Sequence, residues 1–76
     1  MLFRVQYEAW IGQQWVVIVR YDTAHGFPHR DVMHPDGSQT KERYPEYSRM
    51  HVLTMGQQDI RRNWRAYRAR FASEMR

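Results

Sequence analysis

One segment of the sequence concentrates the side chains that could carry out acid–base chemistry. It spans residues 20–31 and contains His25 and His29, and His34 follows three positions later, so that three of the four histidines fall within ten positions. Histidine changes its charge near neutral pH and can act as a general acid or a general base. This segment is therefore the candidate site for catalysis or metal binding.

A metal-independent ribonuclease is the first function that the segment indicates. His25 and His29 would act as the general base and the general acid. Arg20 and Arg30 would stabilise charge on a phosphodiester, because arginine binds phosphate through two parallel hydrogen bonds. Tyr21 would stack on a base or donate a hydrogen bond. Attack by the 2′-hydroxyl of RNA needs only such groups, so we expect no cofactor.

A metal site is a second interpretation of the same residues. His25, His29 and His34, with Asp22 or Asp31, offer ligand types that divalent metals accept. Their spacing matches no strong metal-binding signature, and the ribonuclease hypothesis does not include a metal.

A structural role is the third interpretation. Asp22 and Asp31 would form ion pairs with Arg20 and Arg30, and the imidazoles would form hydrogen bonds with the backbone of a tight loop. Aspartate and histidine often satisfy loop backbone in this way.

An α+β fold with an antiparallel sheet is predicted to position these residues. Alternating apolar residues after Leu2 indicate a strand, and Gly12 marks a hairpin turn. Thr54 with Gln57 has the spacing of a capping box at a helix start. We expect strands at about 2–10, 15–21, 31–34 and 39–44, and one long helix at about 55–73 packed across them.

Apolar residues of the last segment recur at helical period and predict the face that packs on the sheet. They are Ile60, Trp64, Tyr67, Phe71 and Met75. Trp10 and Trp15 are expected in the core as well. The apolar run of residues 15–19 predicts a central strand covered on both faces.

Positive charge is concentrated on one flank of this helix. The net charge of the chain is +4, and the part from Thr54 onward holds six arginines against two acidic residues. Arg61, Arg65, Arg68 and Arg76 fall along this flank, with Arg62 just beyond it, whereas Arg70 is expected to pair with Glu74. Of these, Arg61, Arg62, Arg65 and Arg68 are the predicted nucleic-acid-binding residues. Such a row suits a nucleic acid, RNA included, or an acidic protein partner, so a non-catalytic binding module is the alternative to a ribonuclease. A solvated helix face without a specific ligand is the remaining interpretation.

Composition limits the remaining possibilities. The chain has 76 residues, which fits a single domain over residues 1–76, and it has no cysteine, which excludes disulfides and thiolate metal sites. No apolar run is long enough to span a membrane, so we expect a cytoplasmic protein without membrane association. A homodimer formed through a sheet edge would help so small a core.

The motif RYDTAHGFPHRD at residues 20–31, followed by PDG at residues 35–37, resembles a small prokaryotic family of uncharacterised function. The resemblance extends over about residues 15–71. More distantly, the motif is similar to the TumE-type toxins of toxin–antitoxin pairs. This resemblance implies a toxin that acts on RNA and is neutralised by a cognate antitoxin protein.

Overall fold

A four-stranded antiparallel sheet and one helix make up the part of the chain that the structure describes. The structure, a computed structural model, describes residues 4–23 and 26–75. The elements in chain order are β1 (Arg4–Ile11), β2 (Gln14–Asp22), β3 (His29–Met33), β4 (Gln39–Arg43) and α1 (Arg49–Ser73). The strands lie in the order β1-β2-β3-β4, and each neighbouring pair is antiparallel. The predicted α+β class is confirmed.

The hairpin between β1 and β2 turns at Gly12 and Gln13. Both residues have positive φ, 59° and 64°, which is the backbone of a two-residue type I′ turn whose twist matches the flanking strands. Trp10 then pairs with Trp15 across the hairpin. The glycine at this position supplies the turn that the sequence predicted.

A β-bulge explains the apolar run of β2. The pairing with β1 shifts register between Tyr7 and Glu8, so two neighbouring residues of β2, Ile18 and Val19, are both fully buried. Both belong to core clusters that pack against Tyr7 and Tyr67, which places them on the helix side of the sheet. The prediction that both faces of β2 are covered is wrong. The helix α1 covers one face, and the bulge directs the extra apolar side chain of β2 toward that same face.

The helix begins earlier than the sequence predicted. Ser48 is its N-cap, and the Ser48 hydroxyl accepts a hydrogen bond of 3.0 Å from the backbone N–H of His51. Thr54, the predicted cap, lies in the helix interior. The additional turns bury Val52, which is 1% exposed, against Val19 and Val32 of the sheet, and this tertiary packing outweighs the local capping signal.

At Gly56 the backbone of α1 packs directly against a side chain of the sheet. A Cβ atom at this position would lie 2.6 Å from Cγ of Tyr21 and 2.7 Å from its Cδ1. The ring of Tyr21 therefore occupies the space that any other residue at position 56 would need. Glycine is required here because it lets the helix backbone pack directly on an aromatic side chain.

The tryptophans are more exposed than predicted. Trp10 and Trp15 are 54% and 66% exposed and form an edge-to-face pair with ring centroids 5.4 Å apart. They lie on the sheet face away from α1, because their neighbours Ala9 and Val16 belong to the core cluster beneath the helix. Trp64 is 39% exposed at the edge of the helix–sheet interface. The prediction that Trp10 and Trp15 lie in the core is wrong.

The single helix of the described residues lacks the long apolar stretch needed to cross a bilayer.

Candidate functional site

A charged cluster lies on the sheet face away from the helix, centred on Asp31. This aspartate is 1% exposed. Its Oδ2 atom lies 3.3 Å from Nη2 of Arg20 and 3.2 Å from Nε2 of His29, and its Oδ1 atom lies 3.7 Å from Nζ of Lys41. Three strands thus place basic groups around one buried carboxylate, which satisfies the requirement that a buried charge be paired.

The neighbouring carboxylate of β2 extends the cluster to the sheet edge. Asp22 is buried, and its Oδ2 atom lies 3.2 Å from both Nε and Nη2 of Arg4. Arg20 lies between the two carboxylates, with its Nε atom 3.9 Å from Asp22. Arg20 is therefore held by two aspartates of its own sheet, one more tightly than the other.

His29 is enclosed within this cluster. It is 4% exposed, and besides its contact with Asp31 its Nδ1 atom donates a hydrogen bond of 3.0 Å to the carbonyl oxygen of Phe27. Both ring nitrogens are thus used in contacts that fix the loop to β3. A general acid or base must reach its substrate, so this geometry favours the structural interpretation of His29. His25 lies outside the described residues, and the His25–His29 catalytic pair stays a prediction.

A second polar cluster lies on the opposite face, between the sheet and α1. The hydroxyl of Tyr21 donates a hydrogen bond of 2.7 Å to Oδ2 of Asp59, and the hydroxyl of Tyr67 donates to the same oxygen. Asn63 Nδ2 donates to Oδ1 of Asp59 at 2.8 Å. Arg30 Nη1 in turn donates to the hydroxyl oxygen of Tyr67 at 3.0 Å. Asp59 thus ties the helix directly to β2, and the hydroxyl of Tyr67 links it to Arg30 of β3.

The protonation of this cluster follows from burial and hydrogen bonding. Burial, reinforced by the hydrogen bond to Asp59, raises the pKa of Tyr21 and that of Tyr67. Burial alone would raise the pKa of Asp59, but the hydrogen bonds from Tyr67, Tyr21 and Asn63 hold it below its usual value. The tyrosines are therefore neutral donors and Asp59 is an ionised acceptor at neutral pH.

The predicted catalytic residues divide between these two faces. Arg20 and His29 contact Asp31 on the open face, whereas Tyr21 and Arg30 lie beneath the helix. The division follows from the strand period of two residues, since Arg20 pairs with Asp31 and Tyr21 pairs with Arg30. Arg20 and Arg30 therefore cannot bind one phosphate. Of the ion pairs expected for the two arginines, those of Arg20 with Asp22 and Asp31 are formed, whereas Nη2 of Arg30 lies 3.5 Å from Oε1 of Glu42.

The structure also separates the residues of the metal alternative. His34 lies on the helix side of the sheet, with its Nδ1 atom 2.8 Å from Oε1 of Glu74 and its Nε2 atom 2.7 Å from Oγ1 of Thr40. His29 lies on the open side. Within residues 4–23 and 26–75, no group of three histidine, aspartate or glutamate side chains is arranged to hold a metal ion.

The predicted basic flank of α1 is an exposed stripe over Arg61, Arg65 and Arg68, while Arg76 lies outside the described residues. We call it the Arg-Trp stripe; it consists of Arg61, Trp64, Arg65 and Arg68. These positions are spaced three and four residues apart, so they are neighbours on one helix face. None of its arginines forms an ion pair with a carboxylate of the described part of the chain. Arg62, also exposed, lies just beyond the stripe.

The predicted ion pair between Arg70 and Glu74 on the other flank of α1 is not formed. Glu74, the predicted partner of Arg70, is bound to His34 instead, and the Cζ atom of Arg70 lies 5.8 Å from the ring centroid of Tyr67. The i,i+4 spacing suggested an Arg70–Glu74 pair, but a histidine from the sheet competes for the same carboxylate.

Asp59 and Tyr67 are the site residues that sequence reasoning missed. Tyr67 was assigned only to the apolar stripe, although its hydroxyl links Arg30 to Asp59. Asp59 was overlooked because it precedes a run of arginines in the sequence. Its helical phase is the signal that could have found it, since it lies four residues before Asn63 and eight before Tyr67, toward the side of the helix that packs on the sheet.

The comparisons with known proteins give a family without an assigned activity. No curated protein and no solved structure matches the chain. The relationship to TumE-type toxins, the RNA target and the antitoxin partner therefore stay predictions. The family model described as a domain of unknown function, DUF7718, matches residues 1–76. Because this match covers the whole chain, the protein belongs to the DUF7718 family.

Proposed function

We propose that this protein binds single-stranded RNA through the Arg-Trp stripe. The observation that carries the proposal is the exposed row of Arg61, Arg65 and Arg68 beside the partly exposed ring of Trp64. These three arginines have no carboxylate partner among the described residues. Elsewhere in the described chain, Arg4, Arg20 and Arg30 are engaged by acidic side chains. Arg61, Arg65 and Arg68 thus place three positive charges without a carboxylate partner on one helix face.

The aromatic ring favours a single-stranded nucleic acid over an acidic protein. Proteins that bind single strands combine a basic surface for the phosphates with aromatic side chains on which bases stack. A base that stacks on an exposed aromatic ring contributes about 1–3 kcal/mol. An acidic peptide would need the arginines alone and would gain little from the indole of Trp64.

Binding rather than cleavage is the activity that this geometry supports best. His29 is buried and fully engaged, and Arg20 lies on the sheet face away from Arg30. A ribonuclease would require other groups, of which His25 is the one that the sequence offers. We therefore propose an RNA-binding module; strand cleavage by a toxin-like protein is the competing activity, which a denaturing gel of the incubated RNA detects.

The experiment is a fluorescence anisotropy titration of a labelled single-stranded RNA at several salt concentrations. Each phosphate contact should contribute roughly 0.7 to the slope of log affinity against log salt. Arg61→Gln and Arg68→Gln should each reduce that slope by about this amount.

Arg43→Gln is the matched control, because it removes the same charge from an exposed position on β4. It should change the slope far less. Equal effects of Arg43→Gln and Arg61→Gln would mean that only net charge matters. Absence of binding at low salt would refute the proposal, and tighter binding of an acidic peptide than of RNA would replace it.

A further inference from the structure

We infer that Arg65 and Trp64 together form one stacking site for a purine base. The inference rests on the proposed function and specifies which part of the single strand the stripe distinguishes. The Cζ atom of Arg65 lies over the ring of Trp64, 5.0 Å from its centroid. Arg65 is exposed, and no carboxylate of residues 4–23 or 26–75 holds it in an ion pair.

The position of Arg65 gives it a role different from that of its neighbours. A guanidinium group is planar and stacks on aromatic faces, whereas the ammonium of lysine is a compact, strongly hydrated charge. Because the Cζ atom of Arg65 lies over the indole, a base that approaches this side of the ring from solvent meets the guanidinium group first. Arg61 and Arg68, which lie within about one helical turn on either side, remain available for phosphates.

A tyrosine of the sheet also contacts the indole of Trp64. The ring of Tyr7 meets that of Trp64 edge-on, with centroids 6.0 Å apart and an interplanar angle of 61°. Tyr7 belongs to β1 and packs against both core clusters, so it cannot move away without disturbing the core. The indole is thus held by Tyr7 while Arg65 covers part of its surface.

This arrangement predicts a preference for purines. A two-layer platform of guanidinium and indole offers contact area that a purine fills more completely than a pyrimidine. Preferences of this kind come from stacking strength rather than from hydrogen bonds to base edges. The ligand is therefore a single strand that contains purines, with a purine placed at Arg65 and phosphates placed at Arg61 and Arg68.

The test compares Arg65→Lys with the matched variant Arg61→Lys, which makes the same chemical change at a position without an aromatic ring beneath it. Both variants keep the charge, so the salt dependence should not change in either. The two ligands are a uridine dodecamer and the same dodecamer with adenines at its centre. All measurements use a background protein that carries Trp10→Phe and Trp15→Phe. Trp64 is then the one remaining indole, and its fluorescence reports binding.

We expect the background protein to bind the adenine-containing strand several-fold more tightly and with quenched Trp64 emission. Arg65→Lys should weaken binding of that strand by about tenfold and abolish the preference, a size typical of one stacked base. Arg61→Lys should retain the preference. Equal affinity of both strands for the background protein, or equal behaviour of the two lysine variants, overturns the inference alone. Failure of both strands to bind at low salt overturns the proposed function.

Discussion

Replacement of Gly56 by alanine tests the contact that sets the position of α1 on the sheet. At an exposed helix position, alanine stabilises a helix by about 1 kcal/mol relative to glycine. Here the added Cβ would meet the Tyr21 ring at 2.6 and 2.7 Å, and that ring is buried and bound to Asp59. Overpacking of this kind costs about 1–3 kcal/mol. Gly56→Ala should therefore lower the free energy of unfolding by up to about 2 kcal/mol, the difference between these contributions.

Urea denaturation followed by far-ultraviolet circular dichroism measures this change. Ala69→Gly is the matched control, because residue 69 is exposed on the same helix and the substitution measures the propensity contribution alone. It should cost about 1 kcal/mol. If Gly56→Ala proves more stable than the original protein, as helix propensity alone would make it by about 1 kcal/mol, the close approach of Tyr21 to the helix backbone is wrong.

Four further outcomes follow from the described contacts. Ser48→Ala should cost about 1 kcal/mol and Thr54→Ala less than about 0.5 kcal/mol in denaturant unfolding, because Ser48 is the N-cap. Asp59→Asn should cost about 1–3 kcal/mol at neutral pH. Hydrogen bonds lower the pKa of Asp59 in the folded protein. Its contribution to the free energy of unfolding is therefore present above the unfolded pKa of about 3.9 and is lost as the pH falls through the folded pKa. Measurements of stability against pH should show this loss in the original protein and not in Asp59→Asn. Trp15→Ala should cost no more than about 1.5 kcal/mol, since the residue contributes mainly an exposed aromatic pair. RNA incubated with the protein should stay intact on a denaturing gel, whereas cleavage that His25→Ala abolishes would establish the ribonuclease hypothesis.

Local signals predicted most of the fold. The alternation of β1, the turn residue Gly12 and the helical spacing of Ile60, Tyr67 and Phe71 each act over a few positions, and each is confirmed. Met75, the last predicted member of that apolar row, lies beyond the helix end and is exposed. The helix start was misplaced because Thr54 and Gln57 imitate a capping box, while the packing of Val52 on the sheet, a long-range contact, determines the real start. The exposure of Trp10 and Trp15 could not be read locally either, since it depends on which sheet face the helix covers.

The candidate site was harder to predict than the fold. The residues that are dense in the sequence, from Arg20 to Asp31, belong to two strands whose side chains alternate between faces, so closeness along the chain does not give closeness in space. His29 and Arg30 were expected in a loop but lie in β3, and this places them on opposite sides of the sheet. The stripe on α1 could be predicted, because one helix period relates Arg61, Arg65 and Arg68 without any tertiary information.

The most direct test of the RNA-binding proposal is nuclear magnetic resonance of the arginine Nε–H and tryptophan indole N–H groups during titration with a single-stranded RNA. These signals report on the proposed contacts themselves. We predict that the signals of Arg61, Arg65, Arg68 and Trp64 shift together and saturate at the same RNA concentration, while those of Trp10 and Trp15 on the opposite sheet face stay in place. Shifts confined to Trp10 and Trp15, or no shift of the stripe at saturating RNA, would contradict the account.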